Sequence, residues 1–219
     1  GAKVGTTLTA FIFALSGVSK GSFNISAVFA FLASVGVMIT FTSRNETLTR
    51  IAPFLIGFGM LFIGMEVMQT AIGGPDSVLS TELSRIFKYD IMQNPILLVL
   101  IGTIFTAIIQ ASAAATGVFI AFLTTGIIHN LDQAFFLVMG ANIGTCIDAI
   151  MASIGTNAKG KRIALFHVLS SVIGSSAFTI ILVIFKVPIV SSFERIFPGQ
   201  PQFSLATYNL LYNTLYTLV

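Results

Sequence analysis

The chain has 219 residues, 55% of them hydrophobic and 9% charged, and 11 Lys plus Arg against 8 Asp plus Glu leave a formal charge of +3. A soluble domain carries about 25% charged residues. The deficit, together with apolar runs of about 20 residues, excludes an ordinary soluble domain and makes this an integral membrane protein.

The small positive charge lies mostly between the apolar runs and needs no nucleic acid to explain it. The single Cys146 excludes an internal disulfide. There is no initiator Met and no signal-peptide pattern, and the chain starts inside an apolar segment. The expectation is a processed or truncated part of a longer polypeptide. No Cys–His, Ser–His–Asp, zinc or Walker-type spacing occurs, so catalysis is not expected.

In chain order, apolar segments fall at about 1–17, 23–42, 51–72, 95–128, 134–155, 163–187 and 203–219. The segments 23–42, 51–72 and 163–187 are long enough to span ~30 Å of hydrocarbon at 1.5 Å per residue. The stretch 95–128 is too long for one span and too short for two, and its middle, QASAAATG, is small and polar. Two half-length helices meeting there would form a re-entrant hairpin, tolerated at membrane depth only inside protein or beside a wet cavity.

The connectors are expected at 43–50, 73–94, 129–133, 156–162 and 188–202. Within the second, STELSRIFKYDIM has apolar residues at helical spacing, the pattern of an interfacial amphipathic helix. Residues 43–50 and 156–162 hold Arg44, Arg50, Lys159, Lys161 and Arg162 against Glu46, which leans both toward the cytoplasm.

The chain repeats itself. Aligned without gaps, residues 1–22 and 140–161 share Gly1/Gly140, Ala2/Ala141, Gly5/Gly144, Thr6/Thr145, Ala10/Ala149, Lys20/Lys159 and Gly21/Gly160, more than the roughly two matches expected by chance. With 156–162 inside and 18–22 outside, the repeats are inverted. Inverted repeats with discontinuous helices mark secondary transporters that bind substrate near the midplane. The organisation expected is therefore 1–42 as the end of a first repeat, 43–50 as linker, and 51–219 as a second repeat. The latter would hold the hairpin 95–128, a broken motif helix 134–155 and spans 163–187 and 203–219. The fold class is an all-α, polytopic membrane bundle.

The phrase GANIGTCIDA at 140–149 holds the chemistry. Gly140 and Gly144 weaken the helix by about 1 kcal/mol each relative to alanine. A broken helix offers N–H groups to an anion at one end and carbonyls to a cation at the other. Asn142, Thr145 and Asp148 place oxygen ligands beside the break, the donor type hard cations prefer. The same glycines would also suit close helix packing. Asp148, an ionisable residue within a span, is a functional candidate in its own right.

QASAA in a hairpin, then GANIGTC, then KRIALFHVLSSVIG, resembles the bacterial sodium–phosphate cotransporter family over nearly the whole chain. That family carries a Gln-Ser-Ser-Ser-Ala hairpin, a Gly-Ala-Asn-Ile-Gly-Thr-type motif and a following histidine phrase, the pattern occurring once per inverted repeat. The resemblance implies sodium-driven phosphate movement in a multi-pass protein of the bacterial inner membrane.

It places substrate on Gln110, Ser112, Ala113, Thr116, Lys3, Thr6, Thr7 and Asn213, and sodium on Asn142, Gly144, Thr145, Asp148 and Gln110. His167 falls at the family histidine. Sodium would serve as coupling ion, with no other cofactor. Phosphate, sodium and the bilayer are the expected partners; nucleic acid is not, and assembly with further copies is left open.

The chain departs from the pattern at Ala111 and Ala113, where serine is usual, at Lys3 in place of asparagine and at Asp148 in place of a threonine-like residue. The family's first hairpin would precede Gly1. Lys3 has two roles open to it, neutralising an anion or snorkelling to the interface; it could also pair with Asp148. His167 is expected to bond a neighbouring helix. Glu66 is expected near the headgroups, opposite Gln69, with a proton path as its alternative. The Phe residues are expected to face lipid for the most part. Alternatives to sodium–phosphate coupling are another small anion, proton coupling through Asp148 and Glu66, or a non-transporting membrane subunit.

Overall fold

The computed structural model describes residues 2–16, 25–73 and 78–218. Gly1 and the Lys20–Gly21 turn lie outside the described residues, as do the side chains of Lys3 and Gln69. Eleven α-helices and one 3-10 turn account for the described residues, without a strand: α1 (Ala2–Ser16), α2 (Ile25–Thr42), α3 (Glu46–Gly73), α4 (Val78–Lys88), a 3-10 turn (Asp90–Gln93), α5 (Pro95–Ile109), α6 (Ser112–Thr124), α7 (Leu131–Gly144), α8 (Cys146–Ser153), α9 (Ala158–Ile184), α10 (Lys186–Ile196) and α11 (Pro201–Leu218). This is an all-α membrane protein.

Three stretches, Glu46–Met68, Leu131–Ser153 and Ala158–Ile184, are long and apolar enough to cross a bilayer. The described part of 203–219, expected as a span, lies in α11, which is not among those three. That helix turns Ser204, Asn209 and Asn213 inward against α1, α6 and α7 and leaves Leu211, Leu215 and Leu218 exposed.

Helices α6, α7 and α11 form the centre. Helix α6 buries Ala115, Thr116, Phe119, Ile120 and Leu123, and α7 is buried over almost its whole length. Around them, α2 pairs with α3, α5 lies on α7, α1 lies on α11, and α9 flanks α8 and α7 with most of its surface outward. Backbones touch where glycines allow it. A Cβ on Gly102 would meet the Leu137 carbonyl oxygen at 2.1 Å, one on Gly140 the Val99 oxygen at 2.1 Å, and one on Gly144 the Thr103 oxygen at 2.5 Å. Gly140 and Gly144 thus act mainly through close packing of α7 on α5, the alternative their spacing left open.

The phenylalanines divide between core and surface, contrary to a mostly lipid-facing role. Phe62, Phe119, Phe135 and Phe136 are fully buried, and Phe29 stacks on Phe62 with ring centroids 3.7 Å apart. Phe31, Phe41, Phe54 and Phe166 remain exposed. Each buried ring fills a gap between helices that lipid cannot reach.

Several connectors are shorter than the charge pattern suggests. Helix α3 begins at Glu46, inside the expected 43–50 linker. Helix α9 begins at Ala158, where Asn157 caps it by accepting from the Gly160 N–H at 3.1 Å. The connector 188–202 contains most of α10, whose Phe193 packs edge-on against Phe135 and Tyr208. Charged residues at these helix ends look like loop in sequence because helix termini themselves favour polar side chains. Helix α4 occupies the expected amphipathic segment and buries Phe87 beside Phe122.

Candidate functional site

The sequence 95–128 folds back on itself within two residues. Asn94 caps α5 by accepting from the Ile96 N–H, and Pro95 occupies the first helical position. The helix ends at Gln110, whose φ of 60° places it in the left-handed region, the only such non-glycine residue among those described. Ala111 is extended and α6 starts at Ser112. At 15 and 13 residues the two arms are roughly 20 Å long, shorter than the ~30 Å hydrocarbon core.

The start of α6 is open. Ala111 has no side chain able to cap it, so the first N–H groups of α6 lack intrahelical acceptors. They sit at the positive end of the helix dipole, and Ala111, Ser112 and Ala113 face a cavity of about 490 Å³. Serines at 111 and 113 would have added hydroxyls there; the alanines leave backbone N–H and Ser112 Oγ as donors. Gln110 lies at the rim and donates from Nε2 to Met151 Sδ on α8 at 3.2 Å.

Six helices and the hairpin tip share this cavity. Thr6 and Thr7 come from α1, Thr116 from α6, Asn142 from α7, Asp148 and Ala149 from α8, His167 from α9, and Asn209 and Asn213 from α11, with Thr145 at the α7–α8 junction. Of the residues expected to hold substrate or sodium, Gln110, Ser112, Ala113, Thr116, Thr6, Thr7, Asn213, Asn142, Thr145 and Asp148 are brought to one cavity. Gly144 is not among its lining: its Cα is turned to α5. The Lys3 side chain lies outside the described residues. Glu66 lies away from this site, lining a separate groove with Ile63, Val67, Thr70 and Ala71.

The motif helix is interrupted, but narrowly. Thr145 separates α7 from α8 while keeping right-handed helical angles, and Asp148 N–H turns back to the Thr145 carbonyl at 3.3 Å. Thr145 Oγ1 donates to the Asn142 carbonyl at 2.9 Å. The first copy of the motif shows no interruption: α1 is continuous over Ala2–Ser16, and Thr7 Oγ1 donates to the Val4 carbonyl. The facing pair of broken helices expected from the repeat is therefore a continuous helix facing one loosened by a single residue. The surroundings of the two copies differ as well: Gly144 is clamped against α5, whereas a Cβ on Gly5, its counterpart, would meet nothing within 4 Å.

Electrostatically the cavity is unusual for an anion site. The Asp148 carboxylate is open to it and has no ion pair or hydrogen bond among the described residues. Neither Lys nor Arg appears in its described lining. Asn209 was not singled out in the sequence. Its buried amide accepts from Asn142 Nδ2 at 3.4 Å and from Asn213 Nδ2 at 2.9 Å, and the four-residue spacing of Asn209 and Asn213 on one helix face was the available signal.

Sequence comparison relates the chain to known proteins. The chain is 29% identical over 185 residues to the "Uncharacterized protein YqeW" of Bacillus subtilis (strain 168), covering 84% of this chain and 57% of that protein. It is 26% identical over 219 residues to the "Putative inorganic phosphate export protein YjbB" of Salmonella typhimurium, covering 100% of this chain and 36% of that one. It is 27% identical over 97 residues to the "Sodium-dependent phosphate transport protein 2A" of Rattus norvegicus, covering 43% of this chain and 15% of that protein. The chain thus spans from about a third to somewhat over half of the two bacterial relatives. No solved structure matches it. The model of a transporter family, not an enzyme family, matches residues 1–70 and 74–196, and on that match the chain belongs to the Na+/Pi-cotransporter family.

Proposed function

We propose that this chain moves inorganic phosphate across the membrane in company with sodium, by alternating access. The observation that carries the reading is the composition of the cavity. An uncapped helix start and Ser112 suit an oxyanion, yet Asp148 stands in the same space without a Lys or Arg in the described lining. Two like unit charges about 6 Å apart at an effective dielectric of about 20 repel by roughly 3 kcal/mol. A co-bound cation removes that repulsion, and the amide, hydroxyl and carboxylate oxygens of Asn142, Thr145 and Asp148 are the donors a hard cation takes.

In this reading phosphate lies against the N–H groups of Ser112 and Ala113, with Gln110, Thr116, Thr6 and Thr7 around it. Sodium lies on the α7–α8 side. Neither binds well alone, because each supplies the charge that the other needs; that is coupling in the thermodynamic sense. The hairpin, with its loosened partner α7–α8, moves against the long helices to expose the cavity alternately. The gradients set the direction of net flow. This is compatible with relatives named for export and for sodium-dependent transport.

The test is entry of labelled phosphate into liposomes carrying the purified chain, under an inward sodium gradient and under an equal potassium gradient. Uptake at least about tenfold faster with sodium is expected. Equal rates with both cations would remove sodium coupling, and uptake driven by a proton gradient alone would move the coupling to protons. Absence of both phosphate uptake and phosphate binding would remove the substrate assignment.

A further inference from the structure

We infer that Asn209 is a positioning residue that sets the polarity of the cavity wall, turning the side-chain oxygens of Asn142 and Asn213 outward to receive a cation. An asparagine amide can present either an oxygen or an NH2 group, and these demand opposite ligand charges. The hydrogen bonds here decide between them. Asn142 Nδ2 donates to the Val138 carbonyl at 2.9 Å and to Asn209 Oδ1 at 3.4 Å. Asn213 Nδ2 donates to the Asn209 carbonyl at 3.0 Å and to Asn209 Oδ1 at 2.9 Å.

Both hydrogens of each NH2 group are therefore engaged on protein acceptors. Neither Oδ1 has a protein partner among the described residues, and both asparagines line the cavity. One acceptor, Asn209 Oδ1, holds two neighbours from different helices in the same sense. Its own Nδ2 has no protein partner among the described residues and also belongs to a cavity-lining residue. The three amides thus present two oxygens and one donor, a division of labour between cation and anion. Asn213, placed with the substrate by the sequence, moves to the cation set.

This inference deepens the sodium–phosphate reading and rests on it for the identity of the ion, so its test uses sodium alone. Thermal unfolding of the purified chain in detergent is followed against sodium chloride, with choline chloride as the control salt. The wild-type chain is expected to gain stability as sodium rises. Asn209→Ala removes the shared side-chain acceptor, leaving each NH2 group one backbone carbonyl and a free hydrogen, and is expected to raise the half-saturating sodium concentration about tenfold, equivalent to ~1.4 kcal/mol. Asn209→Asp keeps an acceptor for both neighbours and is expected to stay within about threefold of wild type or bind sodium more tightly.

If the alanine variant does not fold, Asn209→Ser takes its place with the same expected direction, since its hydroxyl is too short to accept from both neighbours. A purely structural role would weaken both variants alike. Equal sodium curves for wild type and the alanine or serine variant, equal losses in the Asp variant, or no sodium response in wild type would each overturn the inference. Failure of the phosphate assignment shows elsewhere, as a sodium response of the expected pattern without phosphate uptake.

Discussion

Thr103 on α5 donates its hydroxyl to the Gly140 carbonyl on α7 at 3.1 Å while also reaching the Val99 carbonyl of its own helix at 2.8 Å. The bond crosses a contact where the two backbones meet with no side chain between them. The hairpin arm α5 and the motif helix α7 are thereby held as one unit, and the site is built on it.

That contact makes a sharp prediction about glycine. Gly140→Ala and Gly102→Ala each drive a methyl group into a backbone carbonyl at 2.1 Å, which no rotamer change relieves. Each is expected to destabilise the chain by about 1–3 kcal/mol. Gly5→Ala and Gly57→Ala meet nothing within 4 Å and are expected to be neutral or to stabilise by up to ~1 kcal/mol through helix preference. Thermal unfolding in detergent separates the two pairs.

At the hairpin tip, Gln110 holds a left-handed conformation that costs an L-residue about 1–2 kcal/mol. Gln110→Gly is expected to leave stability unchanged or raised while lowering sodium-driven phosphate uptake at least about tenfold. Gln110→Val adds β-branching at the same φ and is expected to lower stability by a further ~1 kcal/mol or more. Unfolding and uptake measured on the same preparations check this. Parallel losses in the glycine variant would make the side chain structural.

Asp148 offers the plainest test of charge coupling. Asp148→Asn removes the repulsion that phosphate meets and the carboxylate that sodium uses. The half-saturating sodium concentration for uptake is expected to rise at least about tenfold, while phosphate binding without sodium becomes stronger. Calorimetric titration of phosphate in choline and sodium buffers measures both. Weaker phosphate binding in choline would contradict the arrangement.

Away from the cavity, buried Asp132 at the start of α7 pairs with half-exposed Lys186 at the start of α10. Lys186→Met leaves the carboxylate without its partner in an apolar setting and is expected to destabilise by about 1–3 kcal/mol, less than a fully buried pair because one partner reaches solvent. Asp132→Asn combined with Lys186→Met is expected to recover part of that loss. A double-mutant cycle by thermal unfolding shows the coupling.

The hairpin was legible because QASAAATG interrupts an apolar run too long for one crossing, and polar backbone inside a membrane needs cover. The cavity residues Gln110, Ser112, Thr116, Asn142, Thr145 and Asp148 were legible because polar side chains in such a run stand out against Leu and Ile. Asn209 was not, since α11 is polar enough that one more asparagine carries little signal. Nor were the limits of α3, α9 and α10: helix ends and loops draw on the same charged and polar residues, and only backbone hydrogen bonding distinguishes them.

Composition and hydrophobic patterning by themselves determined that this protein belongs in a membrane, that it is helical, and that its polar motifs gather away from lipid, because burying apolar area and satisfying backbone groups leave few alternatives. Only tertiary structure decided that Gly140 and Gly144 serve packing, that α1 stays whole where α7–α8 loosens, and that Asn209 orients its neighbours. Each of these depends on which surface a residue meets, and the same Gly-Thr pair, at 5–6 and at 144–145, meets different surfaces in the two copies.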